Sequence, residues 1–163
     1  MESVILVDDK DQELGVMEKM EAHRKGILHR AISIFVFNTQ GDYLIQQRAF
    51  EKYHSAGKWS NTCCSHPRPG EKLLDAANRR LKEEMGMVCD LAYWFSFTYR
   101  AELDHGLVEH EYDHVFMGIT DELPNPDASE VASFKYISRE ALEDDLVKNP
   151  EHYSEWFKIC LKH

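Results

Sequence analysis

The segment Asn61-Thr62-Cys63-Cys64-Ser65-His66-Pro67 sets a thiol two residues from an imidazole. Cys64 is a soft nucleophile or proton carrier, and His66 is a base, an acid or a metal ligand. The segment reads as loop. A glutamate-rich helix follows it, ending Glu83-Glu84-Met85-Gly86. Few structural needs call for that thiol and imidazole just ahead of clustered carboxylates. Chemistry on an anionic, metal-bound substrate does.

The helix carries Arg79, Arg80, Glu83 and Glu84 in its C-terminal half. Taken alone they are best read as two i,i+4 ion pairs, each worth ~0.3 kcal/mol. The sharper reading is a carboxylate holding Mg²⁺, which prefers oxygen ligands and substrate phosphates, with Arg80 facing the same phosphates. Glu109 and Glu111 lie two apart in a strand-like run, so they share a face, roughly 6.6 Å apart at Cα. His110 and Tyr112 take the other face. The run continues through Val115-Phe116-Met117, so it is not peripheral. Two carboxylates on one partly buried face need a cation or a shared proton.

His23, His29 and His66, with those carboxylates, would suit a borderline divalent ion such as Zn²⁺ or Mn²⁺. His54, His105, His110, His114, His152 and His163 read as structural or exposed. Lys19, Arg48, Lys52 and Arg80 each read alone as surface charge, yet a diphosphate held by an acidic protein requires bases gathered at one point.

The elements that must position these groups follow from pattern. Ser3–Val7 predicts a strand, closed by an acidic turn over Asp8–Asp11. Met17–Lys25 predicts a short helix capped by Gly26. Leu28–Phe37 and Tyr43–Arg48 predict strands of a hairpin around Asn38–Gly41. Phe50–Ser60 reads as loop. Leu74, Ala77, Leu81 and Met85 recur at helical spacing, so Glu71–Met85 predicts a helix that Gly86 stops. Strands are expected over Leu91–Tyr99, Leu107–Ile119 and Ser133–Ile137, with a breaker at Leu123–Pro126. Ser138 caps a helix to about Lys148, and Ser154–Leu161 forms the last one, carrying Trp156. The mixture places the chain in the α+β class, as one domain over residues 1–163.

Composition sets outer bounds. A chain of 163 residues, 43% hydrophobic and 29% charged, can bury a substantial core. The formal net charge of −10 argues against nucleic acid as a partner. No apolar run is long enough to span a membrane. Neither a secretion signal nor a lipidation box is seen, and the expectation is a cytoplasmic protein, monomer or homodimer. Cys63, Cys64, Cys89 and Cys160 are expected to be reduced thiols.

Taken together these residues resemble the type I isopentenyl-diphosphate isomerases of the Nudix superfamily, from about Val4 to Trp156. The resemblance rests on Lys19 with His23, Leu28-His29-Arg30-Ala31, Trp59 through Pro67, and Glu109-His110-Glu111. The Nudix signature G-x5-E-x7-R-E-U-x-E-E-x-G-U fits at Glu71, Arg79, Leu81, Glu83, Glu84, Gly86 and Met87. Ser65 replaces its first glycine, and Arg80 stands where a glutamate is expected. That exchange weakens a hydrolase reading and supplies a phosphate clamp.

The resemblance implies mixed β-sheets flanked by helices and isomerisation of a small homoallylic diphosphate to its allylic isomer. It implies Cys64 and Glu111 as catalytic groups, with Tyr99 and Trp156 beside them. It assigns His23, His29, His66, Glu109 and Glu111 to one Mn²⁺ or Zn²⁺. Glu84 and the Cys64 carbonyl go to Mg²⁺, and Lys19, Arg48, Lys52 and Arg80 to the diphosphate. Thiolate character at Cys64 is expected from His66 and metal charge. Two other classes stay open on the residues alone: a pyrophosphohydrolase, and a Zn²⁺-stabilised binding module built on Cys63, Cys64 and His66.

Overall fold

β-Branched and aromatic residues fill the stretch from His29 to Phe37, and this stretch is the strand on which the sheet is built. The computed structural model describes residues 2–163. Its strands are β1 (Ser3–Val7), β2 (Glu13–Glu18), β3 (His29–Phe37), β4 (Tyr43–Arg48), β5 (Trp59–Ser60), β6 (Cys63–Ser65), β7 (Ala92–Glu102), β8 (Val108–Ile119) and β9 (Val131–Ile137). Its helices are α1 (Lys19–Lys25), α2 (Leu73–Met85), α3 (Arg139–Lys148) and α4 (Glu155–Cys160). Along one edge β3 pairs antiparallel with β1, β4 and β6. Along the other it pairs parallel with β8, which pairs antiparallel with β7. The sheet is mixed, as the α+β expectation requires.

The period of two divides β3 between two cores. Ile32, Ile34 and Val36 face α2 and meet Ala77, Leu81 and Met85. Phe35 faces the opposite side and meets Val115, Leu142, Trp156 and Phe157, the last three from α3 and α4. The same alternation separates the adjacent cysteines. Cys63 is fully buried on the α2 side, whereas Cys64 packs against the α4 side. Among the described residues no helix is long and apolar enough to cross a membrane.

Four local expectations need correction. The first helix starts at Lys19, not Met17, because Met17 and Glu18 complete β2 and pair with Val4 and Ser3. Glu18 then serves as N-cap, its carboxylate accepting from the Glu21 amide at 2.6 Å. Cys63–Ser65 is a short strand on β3 rather than loop, and Trp59–Ser60 is another on β4. Helix α2 starts at Leu73, not Glu71. The Glu71 carboxylate is instead held by the Arg68 amide at 2.9 Å and by Arg79 at 2.7 and 2.9 Å. Ser138 caps α3 as expected, accepting from the Ala141 amide at 3.1 Å.

Gly86 ends α2 with φ +63°, and an added Cβ would lie 2.3 Å from the Asn125 carbonyl oxygen. Left-handed backbone costs a side-chain-bearing residue about 1–2 kcal/mol, and the close approach of Asn125 adds to that. Gly86→Ala is expected to lower unfolding free energy by about 2 kcal/mol or more. Urea denaturation checks this, and an unchanged midpoint would contradict it.

Candidate active site

Strand register brings the acidic pair to its partners. In the parallel β3–β8 ladder His29 stands beside Glu111. In the antiparallel β7–β8 ladder Tyr99 stands on the other side of Glu111. Glu111 is thus flanked by an imidazole and a phenol. The His29 Nε2 atom is 3.1 Å from Glu111 Oε2. The Tyr99 hydroxyl lies 2.6 Å from Glu111 Oε1 and 3.0 Å from Glu109 Oε1. One hydroxyl hydrogen serves two carboxylates, and both glutamates are buried. Burial first, and Glu111 next, push the Glu109 carboxyl up. This cluster needs positive charge or a proton to be stable.

The imidazoles are oriented to supply lone pairs. His23 Nδ1 donates to the Lys19 carbonyl one helical turn back, at 2.8 Å, and His29 Nδ1 donates to the Ile27 carbonyl at 2.8 Å. Each bond fixes the tautomer and leaves Nε2 bare. His23 Nε2 is buried without a hydrogen-bond partner. His66 follows β6 and reaches Glu111 Oε2 at 2.9 Å. Burial lowers the His66 pKa to about 4, so it is a neutral imidazole. One ligand atom from each of His23, His29, His66 and Glu111 lies within 4.8 Å of all the others. That donor set fits a borderline divalent ion. Glu109, the fifth predicted ligand, falls in an adjoining group with His23 and His54.

The basic residues converge as well. Lys19, Arg48, Lys52 and Arg80 line the same cleft as Cys64, His66, Tyr99, Glu111 and Trp156. None of the four stands idle. Lys19 pairs with Glu2 at 2.6 Å, and Lys52 lies 3.7 Å from Glu130. Arg80 bridges Glu84 at 2.8 Å and Glu130 at 2.9 Å. Arg48 donates to the His54 carbonyl at 3.1 Å and lies over the Trp156 ring, 5.0 Å from its centroid. Both i,i+4 ion pairs read on the helix also form, Arg79–Glu83 and Arg80–Glu84, each at 2.8 Å. Glu84 is buried and also accepts from Gln46 at 2.7 Å on Oε1, where a further lone pair remains.

Cys64 departs from expectation. Burial first, then the Asp113 carboxylate, push its thiol well up rather than down. The thiol donates to Asn61 Oδ1 at 2.9 Å. Ser33 Oγ lies 3.6 Å from the same sulfur and donates to Asp113 at 2.6 Å. The surrounding protein therefore holds Cys64 protonated, and His66, being neutral, supplies no compensating charge.

Three residues near the chemistry escaped sequence reading. Asp113 continues the Glu109, Glu111 alternation by one more step, so the strand period could have found it. Glu130 and His54 come from connecting segments whose composition marks no site. Of the two readings given for His54, structural or exposed, burial beside Glu109 and Trp156 leaves the first. Burial and the nearby Arg48 lower its pKa to about 2.

A family model described as the NUDIX domain matches residues 27–157. An isopentenyl-diphosphate Delta-isomerase of Pectobacterium atrosepticum is 53% identical over 156 residues, covering 96% of this chain and 87% of that protein. One from Aromatoleum aromaticum is 52% identical over 160 residues, covering 98% of this chain and 90% of that one. Among solved structures, a Deinococcus radiodurans protein superposes with a TM-score of 0.83 at 17% identity, over 99% of this chain and 98% of that chain. At that identity the likeness speaks for the fold alone. Half of all positions shared along nearly the full length, on a NUDIX fold whose cleft holds Cys64 and Glu111, make this chain a member of the isopentenyl-diphosphate Delta-isomerase family.

Proposed function

We propose that the chain converts isopentenyl diphosphate into dimethylallyl diphosphate by adding a proton at C4 and removing one at C2. The observation that carries this is a single cleft shared by a thiol, a carboxylate–phenol pair and four basic side chains. Cys64 enters it from β6 and Glu111 from β8, and β3 runs between those strands. A substrate lying across β3 would meet one group from each side.

Protonating an unactivated alkene generates a tertiary cation, so the cleft must exclude water that would trap it as an alcohol. In this reading Glu111 delivers the proton to C4 with Tyr99 holding its carboxylate, and Cys64 exchanges the proton at C2. The Cys64 thiol is protonated and the Glu111 carboxylate ionised in the protein's own surroundings, so the thiol's proton has to pass to Glu111, which delivers it to C4, before the thiolate takes the proton from C2. Asn61 orients its S–H. One indole face of Trp156 stabilises the cation, worth about 2 kcal/mol when desolvated, while the other carries Arg48. Lys19, Arg48, Lys52 and Arg80 hold the diphosphate.

His23, His29, His66, Glu109 and Glu111 would hold a Zn²⁺ or Mn²⁺, and Glu84 with the Cys64 carbonyl would hold Mg²⁺. When bound, these ions supply positive charge to the carboxylate pair and to the diphosphate.

Incubation with isopentenyl diphosphate and Mg²⁺ in D₂O is expected to yield dimethylallyl diphosphate with deuterium at the exchanged positions, followed by NMR. Absence of both from fully metallated protein would discard the proposal. Cys64→Ala should lower kcat at least ~10²-fold with metal content unchanged, and retained turnover would remove Cys64 from its role. Adding Zn²⁺ or Mn²⁺ to chelator-stripped protein at 100 times Kd should stabilise it by about 2.7 kcal/mol, read as a Tm rise of roughly 5–10 °C. His29→Ala should abolish that rise.

A further inference from the structure

Lys19, Arg48, Lys52 and Arg80 crowd into one cleft and repel one another. Lys52 shows it: burial first, then Arg48, lower its pKa, with Lys19 adding to the effect. Glu2 and Glu130 relieve part of that repulsion, at Lys19 and Lys52 in turn. A further residue of the cleft does so without carrying charge. Tyr53 lies in the connection between β4 and β5 and lines the cleft. The Lys19 ammonium lies over its ring, 4.7 Å from the centroid, and the Lys52 ammonium lies 5.9 Å from the same point. Both are within reach of the ring's negative face. The connection is closed at its base, where the Arg48 amide donates to the Lys58 carbonyl at 2.8 Å and the Gly57 amide donates to the Arg48 carbonyl at 3.1 Å. The Tyr53 ring also stands edge-on to His54 at 4.4 Å, so its place is fixed before either lysine reaches it.

We propose that Tyr53 is a positioning residue for diphosphate binding, its ring holding the Lys19 and Lys52 ammonium groups in the cleft. The inference rests on the diphosphate reading given above and adds a residue to it. A carboxylate that gathers a lysine also cancels its charge, and must be displaced before a phosphate takes its place. A ring gathers the cation and leaves its charge whole, with N–H groups free on the side away from the ring. Lys19 and Lys52 thus stay together when Glu2 and Glu130 let go of them. Without the ring two long side chains would be free to spread, and binding would have to remove that rotamer freedom.

Packing against His54 is the competing explanation. The probe is inorganic pyrophosphate with Mg²⁺, its Kd read by calorimetry on metallated protein. Tyr53→Leu is expected to raise Kd at least ~5-fold, and Tyr53→Phe, which keeps the ring, to restore the wild-type value. In a Lys19→Met background the same Leu substitution should raise Kd by a factor at least ~2-fold smaller, because one of the ring's two cations is gone. A role in packing alone would cost the same in both backgrounds. NMR of the wild type needs no variant: the Lys19 ε-methylene protons, riding over the ring, should resonate upfield of those of the exposed lysines. An unchanged Kd in Tyr53→Leu, a Phe variant as weak as the Leu one, equal penalties in the two backgrounds, or a Lys19 signal among the others overturns the inference and leaves isomerisation in D₂O untouched. A wild type that binds no pyrophosphate overturns the diphosphate reading along with it.

Discussion

The parallel pairing of β3 with β8 is the constraint on which the site depends. It sets His29 beside Glu111, across 82 residues of chain. A slip of one residue in that ladder would turn Glu109, Glu111 and Asp113 to the α2 side and bury three carboxylates among Ile32, Ile34 and Leu81. The buried cores on both faces forbid such a slip, because Ile34 and Phe116 belong to one and Phe35 and Val115 to the other. Hydrophobic packing thus fixes the polar geometry. The acidic pair is tolerated at the edge of this core because imidazoles and a phenol surround it.

The same alternation makes chemistry out of a cysteine pair. Cys63 points to α2 and lies 3.5 Å from Glu84, while Cys64 points to the cleft. Two identical side chains in sequence acquire different roles from the pleat alone. The arginine in place of a signature glutamate acts in a comparable way. Arg80 lies between Glu84 and Glu130 and converts an acidic cluster into a balanced one.

Much of this was legible in the residues. Local pattern found α2 through Leu74, Ala77, Leu81 and Met85, and alternation placed Glu109 and Glu111 on one face. The β3–β4 hairpin and the Ser138 cap follow from turn and capping chemistry. Strand β2 was hidden because Leu14 and Val16 are exposed on an edge, so no buried periodicity marks it. The strand character of Cys63–Ser65 comes from pairing with β3, a long-range contact that three residues cannot announce. His54, read as structural or exposed, is buried. In the sequence it is one histidine in a polar connection, and only the fold brings it to Glu109. For the Cys64 thiol, His66 and metal charge were weighed and burial was not; the protein's own groups, burial first and then Asp113, push it up.

The carboxylates that hold the basic residues have a consequence for turnover. Glu2 occupies Lys19, and Glu130 stands between Lys52 and Arg80. An arriving diphosphate would meet three bases that already have carboxylate partners, with Arg48 alone held by a carbonyl and a ring, so at those three it exchanges one set of ion pairs for another. The net attraction is far smaller than four free cations would give. Substrate and product of the proposed reaction carry the same diphosphate, so an unopposed grip would retain one as firmly as the other. A handle that closes on its own acids when the ligand departs keeps the cleft able to empty.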